Sequence, residues 1–268
     1  MKSADTLVCC GLDPDIPKFP KEIREKKISS EEKTLAFLMG AIDSTAAHVC
    51  AYKIQKAFFD IMPNGHDVLK SIIEYVHRNY PEIVVFVDCK IGDIDNTMDV
   101  YGLNLFEVLR ADGVVVNPYM GDDAVSSLAA YKEKSILVLA KTSNPGGGIV
   151  QDVMLKNGQL LWEYMLSLIL GRWNRNKNTI PILSSTAQMD MKYLRKMIPD
   201  HTPVFLAGVG VQGGDESSLK LLLNSEGIGV IINSSRGILY KRYRGLDWKT
   251  SIGRAAKELK ERLNKQRQ

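Results

Sequence analysis

The chain has 268 residues, 45% of them hydrophobic, with 35 Lys and Arg against 31 Asp and Glu, a formal net charge of +4. Such a chain builds one large globular core, and its small, dispersed basic surplus gives no footing for nucleic acid, while leaving room for a mildly basic pocket that takes an anionic small molecule. Cys9, Cys10, Cys50 and Cys89 show neither C-x-x-C nor metal-ligand spacing, and no secretory leader or apolar run of about 20 residues occurs. Reduced thiols in a cytoplasmic protein off the membrane are therefore expected, and the Asn233-Ser234-Ser235 sequon is not expected to carry a sugar.

Short apolar, β-branched runs recur along the chain at 6–12, 48–54, 83–89, 113–118, 135–141, 180–185, 203–209 and 228–234. They are near-continuous rather than alternating, the pattern of parallel strands covered on both faces. Helical patterns lie between them. Ser30 precedes EEKTLAFLMGAIDSTAAH as its cap, with Lys33 where a capping box would want Glu. HDVLKSIIEYVHRNY (66–80) carries Val68, Leu69, Ile72, Ile73 and Val76 on one face, and Pro81 stops it. Further helices are predicted at 98–110, 122–131, 159–172, 190–197, 215–224 and 249–264. Eight strands alternating with eight helices predict a single (β/α)8 TIM barrel over residues 1–268, with an open doubly wound sheet as the rival. The longest connection, 144–158, holds Gly146, Gly147, Gly148 and Gly158, and a loop of that length is expected to be functional or mobile.

Barrel chemistry sits at the C-terminal strand ends. There the sequence places Asp13, then Lys53 and Gln55, then Asp88 and Lys90, then Asn117, then Lys141, Thr142 and Ser143, and finally Ser234, Ser235 and Arg236. Asp88 and Lys90, two apart, point the same way on a regular strand, and Asp93 lies in the turn beyond, able to fold back. Carboxylates flanking an ammonium hold it protonated; one pair at about 4 Å gives roughly 4 kcal/mol at an effective dielectric of 20. Such a lysine is a poor Schiff-base nucleophile and a well-placed proton donor. The stretch AGVGVQGGD (207–215) contains G-x-G-x-x-G at Gly208, Gly210 and Gly213. It follows the seventh run, not the first, and with Gln212 and Arg236 it reads as a barrel phosphate site rather than a dinucleotide fold. None of the four histidines falls in these motifs, so a histidine-based triad is not expected.

Taken together, GLDPD (11–15), D-x-K-x-x-D-I (88–94) with Asn96 and Thr97, TSNPG (142–146), GVGVQGGD (208–215) and NSSRG (233–237) resemble the orotidine 5′-phosphate decarboxylase family, in its longer bacterial-type branch. The resemblance spans nearly the whole chain. It implies decarboxylation of orotidine 5′-monophosphate to uridine 5′-monophosphate, the last step of de novo UMP synthesis, with no cofactor and no metal. Residue by residue it implies that Asp13 binds ribose hydroxyls, Lys53 bridges ribose and Asp88, Asp88 faces the substrate carboxylate, and Lys90 protonates C6. Asp93 and Thr97 would reach into a partner subunit's site, making the active unit a homodimer. Ser143 would meet the pyrimidine edge, Gln212, Gly213 and Arg236 the 5′-phosphate, and Gln55 the ribose. Two positions depart from the family pattern: Asp95 stands where many members carry Pro or a small residue, and Lys141 where Arg is expected before TSNPG. Neither is expected to touch a residue assigned to chemistry. Three other readings stay open on the residues alone. A metal-dependent sugar-phosphate enzyme of the same superfamily would want a carboxylate where Lys53 stands. A Schiff-base aldolase would use Lys53, Lys90 or Lys141. A non-catalytic barrel would bind the phosphate only.

Overall fold

Both faces of the predicted strands are apolar, and a closed barrel is one of the two arrangements that cover both. A computed structural model describes residues 1, 4–184, 189–207 and 216–267, and of Glu216, Ser217 and Ser218 it describes the backbone. Eight parallel strands form the closed barrel: β1 (Val8–Leu12), β2 (Ala51–Gln55), β3 (Val84–Ile91), β4 (Gly113–Val116), β5 (Ser135–Leu139), β6 (Thr179–Ser184), β7 (Val204–Ala207) and β8 (Val230–Ser234). Pairing runs in chain order, and β8 returns to β1 through Val8↔Ile232, Cys9↔Asn233 and Cys10↔Ser234. This is the expected (β/α)8 fold, and each predicted run overlaps one strand, with β2, β3 and β6 reaching one or two residues beyond their runs.

Alternate residues of the strands enter two separate cores. Cys10, Leu12, Val85 and Val87 pack with helix residues such as Phe37, Leu38, Leu69 and Ile72 in the larger cluster. Cys9, Ala51, Phe86, Val115, Leu137, Ile182, Phe205 and Ile231 form the smaller one. Its buried members come from strands, apart from Cys50 immediately before β2, which marks it as the barrel interior, the side-chain plug that such barrels carry. Phe86 and Phe205 meet there edge to face, centroids 6.2 Å apart. This plug is the floor on which the polar strand ends stand.

The helices differ from expectation at their ends. The helix Ser30–Thr45 starts one residue early: its cap is Ser29, whose hydroxyl accepts from Glu32 N while Glu32 Oε2 accepts from Ser29 N. The capping box is thus complete, and Lys33 has no part in it. The helix Asp95–Gly102 begins three residues before the predicted 98 and widens into a π-turn over Leu103–Val108. The 144–158 connection is not featureless. It holds a 3-10 turn at Pro145–Gly147, a short helix at Gly148–Gln151 and an antiparallel bridge between Met154 and Leu160. The predicted 215–224 helix is a 3-10 segment, Glu216–Leu221. Among the described residues no helix is long and apolar enough to cross a membrane.

Candidate active site

At the C-terminal rim one carboxylate carries two ammonium groups. Lys53 Nζ donates to Asp88 Oδ2 at 2.8 Å, and Lys90 Nζ donates to Asp88 Oδ1 at 2.7 Å. Asp13 Oδ1 lies 4.0 Å from Lys53 Nζ. Lys53 and Asp88 are 6% and 5% exposed, so both charges are held out of bulk water. Asp13 is set from below by Tyr240, whose hydroxyl donates to the Asp13 carbonyl at 2.6 Å and accepts from Asp15 N at 2.7 Å.

Simple strand alternation does not bring Lys90 to Asp88. Between Val87↔Val114 and Ile91↔Val116 the pairing slips, so that β3 advances four positions against two on β4. Lys90 sits in this bulge with φ of 44°. A side-chain-bearing residue held in that left-handed region costs of order 1–3 kcal/mol, a strain that collects at functional sites. The chain then turns tightly at Gly92, where a Cβ would lie 2.3 Å from the Asn117 carbonyl oxygen.

The electrostatics follow from burial set against pairing. Burial alone would lower the Lys53 pKa, but Asp88, then Asp13, and the hydrogen bond to Asp88 outweigh it, so the net shift is upward. For Asp88, burial pushes upward, yet Lys53 and Lys90 with their hydrogen bonds bring the carboxyl below its ordinary value. Lys53 and Asp88 are therefore paired as ions, with Lys90 donating to the same carboxylate, an arrangement that holds only when each buried charge keeps its partner. Asp13 Oδ1 and Asn233 Oδ1 are buried and lack a hydrogen-bond partner among the described residues.

A cavity of about 580 Å³ opens beside the array. Asp13, Lys53, Asp88, Lys90, Ser143 and Arg236 line it, over an apolar base of Val115, Leu139, Ile182 and Phe205. Six of the predicted site residues thus share one space. Gln55, Asp93 and Thr97 do not line it. Gln55 ends β2 half-buried, Asp93 Oδ1 accepts from its own neighbour Ile94 N at 2.8 Å, and Thr97 is exposed on the helix Asp95–Gly102. Within one chain, then, Asp93 does not flank Lys90. Gln212 and Gly213, with the rest of 208–215, lie outside the described residues. Six polar lining residues were given no role from the sequence: Thr142, Asn144, Gln151, Asn233, Ser234 and Ser235. Asn144 and Ser235 stand inside quoted motifs, whereas Gln151 reaches the cavity only because its loop folds back.

A closed parallel barrel with paired charges and an apolar-floored cavity at its C-terminal rim defines an enzyme of the TIM-barrel class. Residues 6–245 match the model of the orotidine 5′-phosphate decarboxylase / HUMPS family, and the chain belongs to that family. It is 33% identical over 263 residues to the orotidine 5′-phosphate decarboxylase of Bordetella pertussis, covering 98% of this chain and 94% of the relative. Among solved structures it is similar to Leishmania donovani OMP decarboxylase, with a TM-score of 0.83, 28% identity and coverage of 99% and 95%. It also matches Leishmania donovani UMP synthase with a TM-score of 0.85 and 28% identity, covering 99% of this chain and 55% of that one.

Proposed function

We propose that this chain, acting as one barrel unit in the cytoplasm, converts orotidine 5′-monophosphate to uridine 5′-monophosphate and CO2 without a cofactor, closing de novo UMP synthesis. The observation that carries the reading is the Lys90 ammonium, held 2.7 Å from Asp88 at the mouth of a nucleotide-sized cavity. In the reaction the C6–carboxylate bond breaks, its electron pair stays on C6, and CO2 leaves. Lys90, already charged and oriented, stabilises that pair as it forms and then delivers its proton to C6. Its side chain is 46% exposed, so the neutral amine is recharged from solvent. Asp88 faces the departing carboxylate, a like-charge contact relieved by loss of CO2.

Remote groups supply the binding energy. Asp13 Oδ1, buried and without a hydrogen-bond partner among the described residues, suits a ribose hydroxyl donor. Arg236, across the cavity at the start of the short helix Arg236–Leu239, suits the phosphate with a bidentate fork, and Gln212 and Gly213 complete that grip. Ser143 reads the pyrimidine edge and Gln55 supports the ribose side. The active unit is a homodimer. Asp93 and Thr97 stand on an exposed segment with Ile94 at 54%, Val100 at 66% and Leu103 at 55% exposure, an apolar face suited to a second copy. Across it each chain's Asp93 and Thr97 would enter the partner's cavity.

The test is spectrophotometric: purified protein should consume the orotidylate chromophore with matching release of CO2. Protein that binds the nucleotide and leaves its absorbance unchanged would refute the reading.

A further inference from the structure

The three successive glycines after TSNP find no place in the chemistry above, and neither does the lysine before it. Lys141, 8% exposed at the end of β5, donates to Asp152 Oδ1 at 2.5 Å across the loop. Beside this ion pair, Gln151 closes a two-point contact with Thr142: Thr142 N donates to Gln151 Oε1 at 3.0 Å, and Gln151 Nε2 donates to Thr142 Oγ1 at 2.7 Å. Thr142 Oγ1 in turn donates to Asn144 Oδ1 at 2.6 Å. Two of the glycines make room for these bonds. A Cβ on Gly148 would lie 2.7 Å from Asp152 Oδ2, and one on Gly147 would lie 2.7 Å from Thr142 Oγ1 and 3.2 Å from Gln151 Oε1. Contacts that short do not occur without displacement, so the bonds and the absent side chains form one unit.

We infer that Lys141 and Asp152 are positioning residues, which latch the loop 144–152 onto β5 and thereby hold Ser143 open to the substrate's ring. The latch occupies the side chains on either side of Ser143 with each other. Among the described residues the Ser143 hydroxyl keeps no protein partner, and it faces the cavity with Gln151. Of the polar groups on this wall, the latch therefore leaves that hydroxyl for the ligand. The ion pair lies outside the cavity lining, so neither residue touches the reacting atoms. A wall that meets the ring alike in ground and transition states contributes uniform binding, so its loss appears in KM and spares kcat.

The inference rests on the proposed function for its kinetic and UMP-binding arms, and hydrogen exchange tests the latch independently of it. D152N, K141M, the double variant and K141R are compared for kcat, KM, UMP affinity by calorimetry, melting temperature and amide hydrogen exchange over 142–152. Each single loss variant should raise KM on the order of 10-fold, with kcat within about 3-fold, as expected for a partly buried ion pair. The double variant should be no worse than the poorer single one, and K141R should restore wild-type KM. Exchange over 142–152 should quicken in the loss variants. A Q151A variant, which leaves the ion pair in place, should also raise KM. The inference is overturned by unchanged KM and exchange in D152N, by single effects that multiply in the double variant, or by a KM rise that tracks melting temperature across all variants. If the wild type leaves orotidylate untouched, the activity reading falls. Exchange over 142–152 then decides the latch alone.

Discussion

Replacing Lys90 by Ala removes the group to which both charge stabilisation and proton delivery are assigned. Its Nζ stands 2.7 Å from an Asp88 oxygen. A unit charge pair at that distance interacts by roughly 6 kcal/mol at an effective dielectric of 20. If the negative charge forming at C6 comes within similar reach, its loss corresponds to about four decades in rate. Losing the positioned acid removes a further 10²–10⁴-fold or so. The account therefore predicts that kcat falls by about 10⁶-fold or more, while UMP affinity, which the phosphate side supplies, changes by less than about 10-fold. Stopped assays of CO2 release with high enzyme concentration, beside calorimetry with UMP, measure both. Lys90→Gly is the companion variant. It loses turnover equally, yet it should be more stable than K90A by about 1 kcal/mol, because the 44° φ suits glycine. A K90A enzyme that keeps kcat within about 100-fold of wild type would refute the assignment.

Asp88→Asn leaves the buried Lys53 with Asp13 at 4.0 Å as its nearest carboxylate. Breaking a buried pair from one side costs about 3–5 kcal/mol, so the melting temperature should drop by roughly 6–20 °C as turnover is lost. An unchanged melting temperature would show that the pair does not hold the rim. For pH, the raised Lys53 pKa gives stability that is complete below the unfolded lysine value and is lost as pH rises through the folded one. The lowered Asp88 pKa gives stability present above the unfolded carboxylate value and lost as pH falls through the folded one. This pair therefore adds no inflection to thermal stability between about pH 5 and 9, and kcat/KM should decline in acid only below about pH 6, where the substrate phosphate takes a proton. Mixing inactive K90A with inactive D93A should regenerate activity if sites are shared across a dimer, because hybrid dimers own one site free of both changes. No recovery after subunit exchange would place Asp93 outside the partner's site.

The parallel strands were legible because they are buried on both sides, IVVFVDC and GVVVNP being readable as covered strands without any tertiary knowledge, and their count of eight favoured a barrel over an open sheet. Lys53, Asp88 and Lys90 were legible as rim charges for the same reason, since polar residues ending apolar strands have one place to go. The path by which Lys90 arrives was not. Period-two alternation predicts it on a regular strand, whereas a bulge and a left-handed backbone deliver it. The cap of the helix Ser30–Thr45 was missed by one residue because Ser29 and Ser30 are both acceptable caps, and only the reach of Glu32 back to Ser29 N decides between them. Gln151 carried no signal, since its approach to Thr142 depends on how eight intervening residues fold back. Asp93 and Thr97 have an assigned role only with a second chain, which no pattern within one chain displays. Tyr240 holds Asp13 from 227 positions away, a contact that strand order creates and local sequence does not announce.

The central claim is that preorganised lysine and aspartate charges decarboxylate the nucleotide unaided. Its most direct measurement is the rate of orotidylate loss and CO2 release by the purified protein, with and without excess EDTA. The account predicts stoichiometric UMP and CO2 at a rate indifferent to the chelator; absence of CO2, or a rate abolished by EDTA and restored by a divalent cation, would contradict it.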